Sequence, residues 1–218
     1  MFSLIAAIGQ QGQLGLSDTL PWPELGQDRR WFRAITTAVN PYAMAMHYCQ
    51  QLTDVCPHCD RRSPESLWRT DGNAVIMGRR TWESLGRQPL PQRYNIVLSS
   101  QQPIGVHLSP VSNVWGFSAF VNALYYATTA LQAVNTFFIG GAQLFAEALT
   151  HPGCERLYLT EVDYTGEADT VWPGLLDWKD GTYTYAGQTW ERTHQSLWCW
   201  HPQTPFRFSV WDYRSRVK

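Results

Sequence analysis

The segment LPWPELGQDRRWF (20–32) sets one carboxylate, Asp28, among tryptophans, prolines and a phenylalanine. If a helix begins near Leu25, then Asp28, Trp31, Phe32 and Ile35 fall at i, i+3, i+4 and i+7, so the apolar face of that helix carries an acid. A lone buried carboxylate either costs several kcal/mol or shifts its pKa until it is neutral. Asp28 therefore needs a partner, and a ligand is one that would serve.

Two other stretches are built to meet anions. GRRTWESLG (78–86) follows the apolar run AVIM and opens a helix, which puts free backbone N–H groups beside Arg79 and Arg80. The plain alternative is a solvated helix start with two surface arginines. FFIGGAQLF (137–145) repeats the geometry: a buried strand, a Gly-Gly turn that lets backbone approach closely, then a helix. It is not the GxGxxG fingerprint, and a bare Gly-Gly turn is often only structural. Together, on neighbouring parallel strands, the two could hold the two ends of one dinucleotide. Arg93, just before the strand YNIVLS, could grip a carboxylate with both prongs of its guanidinium, and Asp169 reads by itself as an ordinary loop acid. Cys49, Cys56 and Cys59, with His47 or His58, include one CxxC of metal-ligand spacing and suggest zinc, but no second CxxC completes a paired knuckle. No thioredoxin-like unit surrounds CPHC to make it a redox pair, and reduced structural thiols are the plain reading.

These residues must be positioned by short β-rich runs (2–8, 74–78, 94–99, 113–117, 136–141, 156–163) alternating with helices around 26–37, 79–86, 118–127 and 142–149. Such alternation predicts an α/β fold with a mostly parallel sheet flanked by helices. From about 183 the chain turns to TYTY, WERTHQSLWCW and PFRFSVWDY, and the last alternates Phe206, Phe208 and Val210 with Arg207, Ser209 and Trp211, which predicts an antiparallel C-terminal edge. Residues 38–73 are far longer than a usual connection and read as an inserted subdomain in a single 1–218 domain. With 218 residues, a net charge of −1 and 16% charged residues, the chain fits one domain acting on small molecules and has no basic field for nucleic acid. The opening MFSLIAAIG is too short and lacks the basic start of a signal peptide, and no run approaches a membrane span. Five cysteines, an odd number, do not form a secreted disulfide framework, so a cytoplasmic protein is expected.

Taken in order, SLIAAIGQQGQLGLSDTLPW, Asp28 followed by Trp and Phe, VIMGRRTWESLG, LPQRYNIVLSS, FFIGGAQLF and LYLTEVDYTGEADTVWP resemble the dihydrofolate reductase family block by block. The resemblance implies NADPH-dependent reduction of 7,8-dihydrofolate, with hydride to C6 and a proton to N5. It casts Asp28 as the acid that pairs with pterin N3 and the 2-amino group, and Trp22 as holder of an ordered water. Leu20 would join them at the reaction centre. Ile5, Ala7, Phe32, Leu85 and Leu90 would wall the substrate pocket, Arg29 would flank its mouth, and Arg93 would grip the glutamate carboxylate. Thr160 would bond Asp28. The segment Leu14 to Leu20 resembles a mobile loop latched by Asp169.

For NADPH the same resemblance implies Arg79, Arg80 and Ser99 or Ser100 near the adenosine 2′-phosphate, with Thr81 and the run Gly141, Ala142, Gln143 and Leu144 on the pyrophosphate. Ile139 and Ala7 would face the nicotinamide, Gly140–Gly141 would be a cis peptide, and Leu14, Gly15, Gly78, Leu98 and Phe145 complete the implied cofactor contacts. Three departures stand out: Arg29 where the family has an apolar residue, Phe145 for a common tyrosine, and the 38–73 insertion, which could mediate protein contacts. Two rival readings are a related pyrimidine reductase of riboflavin synthesis and a non-catalytic, reductase-like assembly protein. Asp28, Trp22 and Arg93 argue against the first, and intact catalytic positions argue against the second.

Overall fold

The computed structural model describes residues 1–51, 72–100, 113–174, 176–201 and 203–214. Among them a ten-stranded sheet runs in the order β5 (Val114–Phe117), β4 (Tyr94–Leu98), β3 (Ala74–Gly78), β6 (Thr136–Phe138), β1 (Phe2–Gly9), β7 (Cys154–Val162), β12 (Phe206–Tyr213), β11 (Gln188–Gln195), β10 (Thr182–Tyr185), β9 (Leu176–Asp177). From β5 to β7 every pairing is parallel, and from β7 to β9 every pairing is antiparallel. This is the mostly parallel sheet with an antiparallel C-terminal edge that the sequence predicts.

The parallel strands read as continuous apolar runs because both of their faces are covered. On one face lies α1 (Gly26–Thr37), packed over Ile5, Val75, Met77, Val97, Phe137 and Tyr158; on the other α5 (Ala142–Thr150) covers Leu4, Ile8, Ile76, Ile96 and Phe138. The short helices α3 (Arg79–Ser84) and α4 (Phe120–Tyr125) follow β3 and β5, and α4 runs into a π-helical turn at Tyr126–Ala130.

One expectation needs correction, and one strand is more buried than its alternation shows. Within that antiparallel edge β12 is flanked by β7 and β11 with both faces covered: Phe206, Phe208 and Val210 join the α1 side, and Ser209 and Trp211 are equally buried on the other. Ser209 fits because its hydroxyl accepts from Trp211 Nε1 at 2.9 Å. The outermost antiparallel strand is the two-residue β9. WCW (198–200) does not continue β11, since only a single bridge from Cys199 to Phe206 ties it to the sheet. A separate two-stranded ribbon of β2 (Gln13–Gly15) and β8 (Thr170–Val171) went unread, because two or three residues carry no periodicity.

Part of the long 38–73 segment is described. It forms α2 (Pro41–Gln51), whose Met44, Ala45 and Cys49 share the α1-side core with Trp31 and Ile35. Tyr48 meets the Trp31 ring edge-on at 5.5 Å, and Trp31 stacks on Phe208 at 4.5 Å.

Candidate active site

Helix α1 starts where the sequence places it, with Leu25 at the N-cap in extended conformation. Asp28 lies in the first turn, where a negative charge meets the positive helix end. Trp31 and Ile35 are fully buried and Phe32 is half-buried, so the predicted apolar stripe exists and Asp28 heads it. The stripe points at the carboxyl ends of the parallel strands, the usual ligand crevice of an open α/β sheet. There Thr160 on β7, paired in register with Ala7 on β1, donates its hydroxyl to Asp28 Oδ1 at 2.6 Å. Burial pushes the Asp28 carboxyl up from its ordinary 3.8 to about 6, and the Thr160 bond opposes that shift.

Ile5, Trp22, Ala7, Phe32, Leu85, Leu90 and Ile139 are all members of or packed against the α1-side core, the side on which this pair lies. Trp22 is buried beside Tyr164, ring centroids 5.6 Å apart, and its indole Nε1 has no hydrogen-bond partner among the described residues. Leu20 is exposed at the rim.

Arg93, only 4% exposed, closes the far end. Its Nη1 donates to Thr36 Oγ1 at 2.7 Å, its Nε donates to the Pro91 carbonyl, and its guanidinium sits 5.8 Å from the Phe32 ring centroid. Among the described residues no carboxylate pairs with it. Burial, and secondarily the charge of Arg33, push its pKa down to about 10, so it stays cationic at neutral pH. A buried cation without a counter-ion beside a second arginine suits an incoming carboxylate. Sequence reasoning missed Arg33 and Thr36. The signal was present, since Asp28, Phe32 and Thr36 continue one stripe at i, i+4 and i+8. Arg29, expected at the mouth, is exposed there and ion-paired with Glu24.

The second half of the site is where two strands end side by side. Gly78 N donates to Gly140 O at 2.7 Å, joining the start of α3 to the cis Gly140–Gly141 peptide that precedes α5. Gly140 has φ +121°, and a Cβ there would lie 3.3 Å from Thr81 Oγ1, so only glycine fits both the turn and the close approach. The caps Gly78 and Gly141 make no side-chain hydrogen bond, which leaves the first N–H groups of both helices for an anion. Ala142 and Gln143 stand in that first turn of α5, with Gln143 exposed. Arg79 is held by both oxygens of Glu83, at 2.9 and 3.0 Å, whereas Arg80 is exposed. Ser99 N donates to Phe117 O at the end of β4, and Ser100 is exposed. Leu14, Leu98, Leu144 and Phe145 lie in or against the α5-side core instead, Phe145 with its ring 5.0 Å from Trp172.

The 14–20 segment is anchored as an ordered turn. Ser17 and Asp18 both have positive φ between the paired Leu16 and Thr19, the geometry of a two-residue hairpin turn. Ser17 N donates to Asp169 Oδ2 at 2.7 Å, and Asp169 N donates back to Gly15 O at 3.0 Å. The Ser17 and Thr170 hydrogen bonds hold the Asp169 carboxyl below its usual range, with the charge of Arg80 the smallest contributor.

The structure gives the zinc reading no support. Cys49 is a core thiol, its Sγ 3.9 Å from the Phe208 carbonyl, and burial, then the neighbouring Cys199 and Glu161, push it up to about 12, away from the thiolate a metal needs. His47 is half-buried, its Nε2 has no partner among the described residues, and burial lowers its pKa. Cys56, His58 and Cys59 lie outside the described residues. Among the described residues no three His, Cys, Asp or Glu side chains gather into a metal site.

Comparison with known proteins agrees with this geometry. The family model for dihydrofolate reductase matches residues 68–197. The chain is 34% identical over 179 residues to dihydrofolate reductase type 3 of Salmonella typhimurium, covering 81% of this chain and 80% of that one. It is 29% identical over 175 residues to dihydrofolate reductase of Heliothis virescens, covering 79% of each. It is 32% identical over 181 residues to the bifunctional dihydrofolate reductase-thymidylate synthase of Daucus carota, of whose length it spans only 28%. A structure of dihydrofolate reductase from Enterococcus faecalis, complexed with NADP(H) and RAB-propyl, superposes with a TM-score of 0.64 at 23% identity, covering 99% of this chain and 97% of that one, and so shares its fold. By the extent of the family match and the identity to its members, the chain belongs to the dihydrofolate reductase family.

Proposed function

We propose that the protein reduces 7,8-dihydrofolate to 5,6,7,8-tetrahydrofolate with NADPH, and the observation that carries the proposal is the Asp28–Thr160 pair. A half-buried carboxyl titrating near 6 can hold a proton close to neutral pH, or as the anion accept two hydrogen bonds from a flat amino-heterocycle. Asp28 takes the pterin N3 and 2-amino edge in this reading. Ile5, Ala7, Phe32, Leu85 and Leu90 exclude water around the ring, and Trp22 Nε1 orients the water that delivers a proton to N5. Arg93, seconded by Arg33, takes the glutamate carboxylate at the far end.

The residues at the α3 and α5 starts fit a dinucleotide: uncapped N–H groups, a glycine pair whose Gly140 has φ +121° and lies close to Thr81, and basic side chains beside them. Thr81 and Gly141 to Leu144 would hold the pyrophosphate, Arg79, Arg80, Ser99 and Ser100 the adenosine 2′-phosphate end, and Ile139 and Ala7 the nicotinamide. When bound, NADPH supplies the hydride to pterin C6. The Asp169 latch on Gly15 and Ser17 keeps the 14–20 segment over the reaction centre.

The test is loss of reduced-nicotinamide absorbance on adding dihydrofolate. The wild type should turn over, and Asp28→Asn should lower kcat/KM at neutral pH by at least about two orders of magnitude, the scale of a positioned acid–base group. Near-wild-type turnover in that variant would overturn the assignment.

A further inference from the structure

Thr160 and Glu161 are neighbours on β7 and so face opposite sides of the sheet: Thr160 meets Asp28, and Glu161 points to the other face. Glu161 is fully buried and meets two guanidinium groups. Arg207 Nε donates to its Oε2 at 2.6 Å, and Arg192 Nη1 lies 3.6 Å from its Oε1. One carboxylate against two guanidinium groups leaves one positive charge uncompensated. Arg192 is further tied down by the Trp178 carbonyl at 2.8 Å and lies over the Trp211 ring. Arg207 is different. Beyond its Nε, its terminal nitrogens have no hydrogen-bond partner among the described residues, and its guanidinium lies 4.7 Å from the centroid of the Trp198 ring.

That guanidinium forms part of the wall of a cleft of about 600 Å³, together with Gln10, Asp177, Trp178, Lys179 and Trp198. The cleft is broad and open to solvent. Asp177, the acid on the wall, accepts the backbone N–H groups of Lys179 and Asp180, which orient its carboxylate and leave it charged, and Gln10 is bonded to Asp163. The cleft therefore offers a stacked guanidinium fork, a lysine ammonium and the Trp198 ring, with Asp177 the one carboxylate on its wall among the described residues. Trp198 is 45% exposed, an unusual placement for so large an apolar ring.

We propose that this cleft is a second binding site, on the sheet face opposite Asp28, for a small aromatic carboxylate. The ring lies against Trp198 and Trp178, and the carboxylate takes the terminal fork of Arg207, with Lys179 as a second charge.

The probe is para-fluorobenzoate, titrated against the full chain by fluorine NMR, with fluorobenzene, acetate and inorganic phosphate as comparison arms. Saturable binding of one equivalent is expected. It should be unchanged when NADP⁺ and folate are added in excess, because no residue of the cleft is among those assigned to either. Lys179→Ala and Trp198→Ala, both at the surface, should weaken it. Arg207→Lys keeps a charge for Glu161 but loses the fork, and should weaken it at least about tenfold. Fluorobenzene binding as well as the acid would reduce the cleft to an apolar patch, and phosphate or acetate displacing the probe with equal affinity would remove the ring from recognition. Either result overturns the proposal. So does the absence of saturable binding, displacement by folate, or equal binding by Lys179→Ala and Trp198→Ala, whichever way Arg207→Lys folds.

Discussion

Replacing Thr160 by valine removes one hydroxyl while keeping the β-branched shape in the middle of β7. The hydroxyl donates to Asp28 Oδ1 at 2.6 Å, and it is the one influence that lowers a carboxyl which burial has raised to about 6. A hydrogen bond to a charged group contributes about 1.5–3 kcal/mol, which at about 1.4 kcal/mol per unit corresponds to about one to two pKa units. Thr160→Val should therefore carry the Asp28 carboxyl to between about 7 and 8. The assay is kcat/KM for dihydrofolate across pH, because its alkaline limb reports the free enzyme's titrating acid. In the wild type the rate should fall as pH rises through about 6. In the variant the fall should come one to two units later, so the two profiles diverge most near neutrality. Asp28→Asn should have no such limb. A limb that stays in place in Thr160→Val, or moves to lower pH, would refute the reasoning, for it would show that the titrating group is not the carboxyl bonded to Thr160.

Asp28 also makes a stability prediction of definite sign. Its folded-state pKa lies above the unfolded value of 3.8, so between about 4 and 6 the folded state holds the extra proton and stability falls as pH rises; the cost, about 3 kcal/mol at most, is fully present above about 6. Denaturant melts of the ligand-free protein should show that loss, and Asp28→Asn should abolish it. Asp169 predicts the opposite sign: its lowered pKa means its latch is present at neutral pH and lost only in acid, and Asp169→Asn should cut kcat several-fold with little change in thermal stability. Arg79→Ala should erode preference for NADPH over NADH, read as the ratio of kcat/KM values, and should leave Glu83 paired, among the described residues, with Arg87 alone. Arg29→Leu should change relative KM for mono- and polyglutamylated dihydrofolate at low salt, with the difference fading at high salt, because Arg29 is an exposed, screened charge.

What was legible in the sequence was what repeats locally. The Asp28, Trp31, Phe32, Ile35 stripe follows from helical periodicity alone, and the Gly-Gly turn before α5 from chain chemistry alone. Thr160 is different: its bond to Asp28 joins residues 132 apart in sequence, and nothing local marks it. The resemblance, not the periodicity, pointed to it. Glu161 was read past for a related reason. In LYLTEVD a glutamate looks like the solvent side of a strand, and only the arrival of β11 and β12 beside β7, with Arg192 and Arg207, makes a buried carboxylate tolerable there. The β12 alternation gave the antiparallel pairing but not the burial, because a strand flanked on both sides can bury serine and arginine if partners are waiting.

The departure with the plainest structural consequence is the long 38–73 segment. Its described helix α2 does not stand apart from the reductase core; it places Cys49, Met44 and Ala45 against α1 and Tyr48 on the edge of Trp31. Trp31 is three residues beyond Asp28 on the same helix and is clamped between Tyr48 and Phe208. At the other end of α2, Tyr42 lies under the Arg156 guanidinium at 4.5 Å and beside His194 of β11. Helix α2 thus ties the helix that carries the acid to the antiparallel half of the sheet. A rigid buttress of this kind narrows the angles α1 can adopt, and with them the distance from Asp28 to Thr160 on which the titration of the site depends. The packing of Met44, Ala45, Cys49 and Tyr48 thus bears on the placement of α1, and through it on Asp28.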